Sequence, residues 1–407
     1  MFGWPSVIAF VNARVLTPEG EARSLRFRRR VVSIDEPPQR GDHVVDLEGA
    51  FVVPGLVNAH DHLELNHYGQ LKGREVYGHA SEWIDDLRPV IRNNQAVVEA
   101  SRAPLADRLF IGGIKNLLSG VTTVAHHNPL YRAFGLHFPV RVVERFGWAH
   151  SLGMEAGKVG AHGEPGGDVG ERSRTTPASH PFIVHAAEGV DAHAVAELER
   201  LDELGALRAN TVLVHGLAIE PAKWHALFER GVSLVWCPAS NQFLFGRTLC
   251  MPCVLESNLA PARVCLGTDS RVTGARDLLD EMRVAAQAGV DAHAVLRMVT
   301  SAAADVLRLD DAGRIRVGAS ADLTVLPAGA DTAADAVLRA QRRDVQLVVK
   351  RGTPMWGAAR LERAFSVRCM HVRRATVDGV DAVMQSGLAK RLERCTVKEP
   401  GVGVAGR

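Results

Sequence analysis

Two histidines flank a single aspartate in Ala59-His60-Asp61-His62, at the end of the apolar run VVPGLVN. Along a strand, residues i and i+2 project to one side, so both imidazoles can meet one ion. An H-x-H pair is common without a metal, but three more residues stand at the ends of later apolar runs. These are His185 in FIVHAAEG, His215 in TVLVHG and Asp269 in CLGTDS. Imidazole and carboxylate together suit a borderline divalent ion such as zinc, iron or manganese. Taken singly, His185 and His215 fit buried, backbone-bonded histidines, Asp269 fits a turn, and Glu188 fits a helix cap. Taken jointly, their spacing points to a metal hydrolase. A divalent ion brings the pKa of its water towards neutrality. The Asp269 carboxylate can take the proton as that water attacks, and a separate glutamate can pass it to a leaving group. His215 can stabilise the developing oxyanion.

Elements of two textures must position these groups. Residues 6–53 read as short strands broken at Pro18-Glu19-Gly20 and Pro37-Pro38, with no stretch of helical period. From Phe51 the apolar runs FVVPGLVN, GVTTVAHH, PFIVHAAEG, TVLVHG, SLVWCPASN and VCLGTDS alternate with amphipathic helical stretches. Continuous apolar strands separated by helices imply a parallel sheet covered on both sides, and polar residues at strand ends fit the active face of a (β/α)8 barrel. After the N-cap Asp291, AHAVLRMVTSAAADVLRL places Val295, Leu296, Val299, Ala302, Ala303 and Val306 on one helical face. GRIRVGASADLTVLP and VQLVVKRGTPMW then return to short strands. The expected organisation is an α/β chain with a TIM-like barrel over 55–310 and a small β-sandwich composed of 1–54 and 311–357. Residues 358–407 carry ten Lys/Arg against five Asp/Glu and read as a C-terminal helix and tail, with a partner-binding arm as the other reading.

The ordered set H-x-H, H-x-x-E, V-H-G, C-P-x-S-N and G-T-D resembles the amidohydrolase superfamily, in particular its cytosine deaminase and triazine chlorohydrolase-like branch. The resemblance covers roughly residues 6–357. It implies metal ligation by His60, His62, His185 and Asp269, with Glu188 as the proton-shuttling acid and His215 as the residue that polarises substrate. The chain departs from the pattern between His150-Ser151 and FIVHAAEG. About thirty Gly-rich, polar residues there replace a helix, a strand and a further helix, so strand four is degenerate, displaced or replaced by a loop. Binuclear relatives place a carboxylated lysine on that strand. Lys158 is the only lysine in the gap and lacks an apolar strand context, so one divalent ion is expected, zinc first, with Fe2+ or Mn2+ as alternatives. Residues 153–170, with seven glycines in eighteen positions, read as a covering loop.

Substrate contacts are expected at the barrel top from Glu64, His127, His150, Asn241 and Arg271. The pair Cys250-Met251-Pro252-Cys253 with His62-Leu63-Glu64 imitates a zinc nucleobase deaminase signature, but its halves lie too far apart and no proline precedes Cys250. Loop packing is the reading for that pair, ahead of a redox function.

Of 407 residues, 46% are hydrophobic and 23% charged, which excludes a disordered or fibrous chain. Lys+Arg 48 against Asp+Glu 46 leaves +2, too even a balance for a nucleic-acid or membrane surface. Six cysteines do not make a disulfide scaffold, no apolar run is long enough to span a bilayer, and the N-terminus does not read as a signal peptide. A cytoplasmic enzyme with a small-molecule substrate is expected, with homodimerisation left open. The expected reaction is hydrolytic deamination of a heterocyclic amine. Cyclic amide hydrolysis, a lactonase or phosphotriesterase-type reaction and a non-catalytic, metal-stabilised binding protein are the alternatives.

Overall fold

The computed structural model describes residues 7–152, 168–367 and 370–404. Lys158 and most of the Gly-rich segment 153–170 lie outside these.

At the centre, short parallel strands form a ring. Leu56–Asp61 pairs with Val121–His126, which pairs with Arg141–Val142. A second run joins Gly147–Ala149, Phe182–Ala186, Thr211–His215, Ser233–Trp236 and Val264–Leu266 in that order. Only residues 143–146 separate Arg141–Val142 from Gly147–Ala149, whereas parallel neighbours need a crossover of about a dozen residues or more. The two pieces are therefore halves of one interrupted strand, bonded first to one neighbour and then to the other. The ring closes where Asp269 N donates to His60 O at 3.1 Å, beside a parallel bridge between Asp61 and Asp269. The described residues thus supply seven staves. Between 150 and 181 they contain no strand, and the helix Val169–Thr175 leads directly into Phe182–Ala186.

Both Leu56–Asp61 and Val121–His126 are buried along their whole length, as expected of strands covered on both faces. Helices Leu105–Leu118, Ala192–Glu203, Trp224–Glu229 and Leu278–Gln287 stand between or after the staves. Asp191 and Asp277 cap two of them through backbone N–H groups. The helix expected after Asp291 is two pieces, Ala292–Met298 and Ser301–Val306. The break has a cause: the Val299 carbonyl turns out of the helix to accept Val57 N of the first stave at 2.8 Å.

Strands from both ends of the chain share the remaining sheets. Phe51–Pro54 lies between Leu323–Leu326, antiparallel, and Arg14–Thr17, parallel, within a nine-stranded sheet. A four-stranded sheet built on Ile8–Val11 packs nearby, and Phe10, Phe27, Val52, Leu323 and Val349 share one buried cluster. Residues 358–407 hold more than a helix and a tail. Val372–Val377, Val380–Gln385 and Val402–Val404 extend the nine-stranded sheet, and Ser386–Arg394 is the helix. Asp378 and Gly379 both have positive φ, the conformation a two-residue hairpin turn requires. The excess of arginines obscured the alternation in VRRATV, where Ala375 and Val377 point inward and Arg374 and Thr376 outward.

Candidate metal centre and active site

His60, His62, His185, His215 and Asp269 converge at the carboxyl ends of the staves. The Nε2 atoms of His60 and His185 lie 3.2 Å apart. His62 Nε2 lies 3.5 Å from Asp269 Oδ1, and His60 Nε2 lies 3.9 Å from the same oxygen. Two groups of ligand atoms, His60–His185–His215 and His60–His62–Asp269, are each mutually within 4.8 Å and share His60. Two imidazoles on one tetrahedral zinc place their nitrogens about 3.3 Å apart, given bonds of roughly 2.0–2.1 Å. The observed spacing fits such an ion.

Hydrogen bonds set which nitrogen faces the centre. His185 Nδ1 bonds the His150 carbonyl at 2.8 Å, which leaves its Nε2 lone pair facing His60. His215 Nδ1 bonds Asn241 Oδ1 at 2.9 Å, while His215 Nε2 is buried with no hydrogen-bond partner. Asp269 Oδ2 accepts from Ser240 Oγ at 3.0 Å and Thr273 Oγ1 at 2.6 Å, so Oδ1 is the oxygen turned to the histidines. Burial, and then the neighbouring imidazoles, hold His60 and His185 well below the usual histidine range. Neutral imidazoles are the form that binds a metal.

Glu188 follows His185 by three residues, and its Oε1 lies 3.6 Å from His215 Nε2. Burial first, and then the Asp269 carboxylate, push its carboxyl well above the ordinary glutamate value. A glutamate kept protonated by burial is suited to act as a general acid. The backbone is left-handed at Ala187, His215 and Asp269, with φ of 52°, 70° and 51°. Such conformations cost of the order of 1–3 kcal/mol each and concentrate where side-chain aim matters.

Four of the five expected substrate contacts are committed elsewhere. Glu64 is fully buried, with Asn128 Nδ2 on its Oε1 and His126 Nδ1 3.7 Å from its Oε2. Asn241 is fully buried and spends its oxygen on His215 and its nitrogen on Thr248 at 3.3 Å. Arg271 grips Glu399 through both terminal nitrogens, at 2.9 and 2.7 Å, and gives its Nε to Arg276 O. His127 is buried with Nε2 on Ala149 O at 2.9 Å, although its ring packs against that of His185 at 4.4 Å. His150 is half-buried, and one nitrogen each from His127, His150 and His185 forms another close triad. Cys250 and Cys253 are joined as a disulfide, which corrects the loop-packing reading of that pair.

The sequence reading missed a buried polar network beneath the H-x-H pair. Lys115 Nζ donates to Asn66 Oδ1 at 2.7 Å, Thr268 Oγ1 at 3.1 Å and Asp61 Oδ2 at 3.2 Å. Asn116 and Asn58 also donate to Asp61 Oδ2, at 2.8 and 3.2 Å. Asp61 separates the two histidines, and Thr268 precedes Asp269. The network therefore ties the first stave to the last. Its one sequence signal is Lys115-Asn116 inside the apolar helix LFIGGIKNLL. A second missed feature lies behind Glu188: Glu197 Oε2 accepts Ala187 N at 2.7 Å, and His79 Nε2 stands 3.5 Å from Glu197 Oε1.

Residues 179–355, which span four of the seven staves, match the amidohydrolase family. Over that stretch the chain is similar to amidohydrolases. A deaminase of Haloarcula marismortui, named for 5-methylthioadenosine and S-adenosylhomocysteine, is 27% identical to it over 73% of this chain and 77% of the relative. Two solved structures share the fold. Atrazine chlorohydrolase from Arthrobacter aurescens, complexed with zinc, aligns with a TM-score of 0.68 at 17% identity, covering 86% of this chain and 95% of that one. An adenosine deaminase from Xanthomonas campestris with bound zinc aligns with a TM-score of 0.64 at 21% identity, covering 86% and 93%.

Proposed function

We propose that this protein is an amidohydrolase, a zinc-dependent deaminase of heterocyclic amines, with 6-aminopurine nucleosides as its first substrate class. The observation that carries the reading is one cluster in which His60, His62, His185 and Asp269 converge while Glu188 faces His215 beside it. The name of the Haloarcula relative adds the purine nucleoside. The residues that would hold one ion are His60, His62, His185 and Asp269. A divalent ion supplies Lewis acidity there, making water a nucleophile near neutral pH.

The side chains then divide the proton work. Asp269 Oδ1 receives a proton as water adds to the amino-bearing ring carbon, because its Oδ2 is already held by two hydroxyls. Glu188, kept protonated by burial, gives its proton to the adjacent ring nitrogen, which makes that carbon electrophilic. Asn241 Oδ1 accepts from His215 Nδ1 and fixes the ring, so that His215 Nε2 is left to accept the hydrogen of the new hydroxyl. The C–O bond forms, the proton held by Asp269 passes to the amino group, the new hydroxyl returns a proton to Glu188, and the C–N bond breaks to release ammonia. Overall, amine and water give a ring carbonyl and ammonia.

The test is product identity. Zinc-loaded protein is offered adenosine, 5-methylthioadenosine, S-adenosylhomocysteine and a cyclic amide, with ammonia assayed against substrate loss. Ammonia released in equal amount with a purine substrate supports the proposal. Ring opening of the cyclic amide without ammonia replaces it with an amidase.

A further inference from the structure

None of the proposed ligands lines a second feature, a cavity of about 910 Å³. Its walls are the helix Leu105–Leu118, the loop 132–144, the end of Leu347–Lys350 and the start of Ser386–Arg394. Six cations line it, Arg29, Arg132, Arg141, Lys350, Arg351 and Arg391, against the single carboxylate Glu144. Arg141 and Arg391 are held by Asp311 and Asp107, and Arg391 lies over the Phe110 ring at 4.8 Å. Among the described residues, no carboxylate lies within ion-pair range of Arg29, Arg132, Arg351 or Lys350. Phe110, Phe134, Phe138 and Met355 supply an apolar wall.

Lys350 is the decisive residue. It is only 8% exposed, and its ammonium makes one hydrogen bond, to the Phe138 carbonyl. Burial pushes it down to about 8. The Asp322 carboxylate offsets part of that burial without reaching ion-pair range; an ammonium so weakly compensated is costly, and here it borders an open, cation-lined space. We propose that this cavity binds a small organic anion, an apolar ring or chain bearing a phosphate or carboxylate. The anionic head sits among Lys350, Arg351 and Arg132, and the apolar body rests on Phe134 and Phe138. The loop that lines the cavity continues from His126-His127-Asn128, whose Asn128 Nδ2 stands 3.3 Å from His62 Nδ1. The site is separate from the deaminase reading and stands or falls without it.

Calorimetric titration of the full chain with 1-naphthyl phosphate, 1-naphthoate, 1-naphthalenemethanol and inorganic phosphate tests it. At least one naphthyl anion is expected to bind one per chain, about tenfold or more tighter than the alcohol or free phosphate. Comparison of the two naphthyl anions tells phosphate from carboxylate. Arg132→Ala/Arg351→Ala, at solvent-accessible positions, should weaken binding about tenfold or more. His60→Ala/His62→Ala should leave it unchanged. No heat from either naphthyl anion, binding that survives the arginine variant, or binding lost in the histidine variant each overturns the proposal.

Discussion

At the scale of single residues, the 3.6 Å between Glu188 Oε1 and His215 Nε2 is too long for a hydrogen bond, which in the proposed reading leaves the Glu188 proton for the substrate. Glu188→Gln is expected to abolish turnover while elemental analysis still finds one zinc per chain. Loss of the metal in that variant would make Glu188 a ligand and undo the division of roles. Asn241→Ala acts at one remove, by freeing the His215 ring to choose its tautomer. It should lower kcat by about 10- to 100-fold with KM and metal content little changed, the scale seen for partners of site histidines. An equal loss of metal would instead place His215 among the ligands. The residues with strand-end spacing were legible in the sequence because chemistry and periodicity coincide there. Glu64, Asn241 and Arg271 misled it, since a polar residue just past a strand is read as facing the pocket until its partner is known. Arg271's partner is Glu399, 128 positions away.

Among the elements, the helix Leu105–Leu118 and the first and last staves are joined through Lys115 and Asp61, both with fully buried side chains. Lys115→Met should destabilise the protein by ~3–5 kcal/mol, because it strands the Asp61 carboxylate away from water. Urea unfolding measures this, and Lys115→Met/Asp61→Asn should recover part of the loss. If the single variant matched wild type, the network would not be holding the staves. Periodicity located the staves because apolar strand runs have a signature of their own. It could not find this network, whose members lie 54 and 153 residues apart along the chain. The same limit applies to the helix after Asp291. Its apolar face is continuous in the sequence, but a carbonyl claimed by a strand some 240 residues earlier breaks the helix, and no local pattern records such a claim.

For the molecule as a whole, the C-terminal segment is fastened by charge. Glu399, fully buried, meets both Arg342 and Arg271, while Asp378 meets Arg342 and Arg276. Glu399→Ala leaves two partly or fully buried guanidinium groups short of a counter-charge and should cost ~3–5 kcal/mol, read by thermal or urea unfolding. Stability within 1 kcal/mol of wild type, about the level of a surface pair, would show that the cluster is dispensable. The pH response of Lys350 carries a definite sign. Its folded-state value, about 8, is below the ordinary 10.5. The stability linked to it is complete above 10.5 and is lost as pH falls through about 8. Lys350→Met should therefore gain stability over wild type near about pH 7 and surrender that gain towards about pH 10. A difference in Tm that stays constant across this range would show that the buried ammonium is not the cause.

A ring of seven staves also has a consequence for the ligands. Because no strand of the described residues intervenes, Gly147–Ala149 lies directly against Phe182–Ala186, and the His150 carbonyl receives both the backbone nitrogen and the ring Nδ1 of His185. One oxygen thereby fixes at once how two strands are aligned and which nitrogen of a proposed ligand carries the proton. The protonation pattern of the centre is written into the alignment of its wall. A slip of one residue between these two strands would change the coordination chemistry without altering a single ligand.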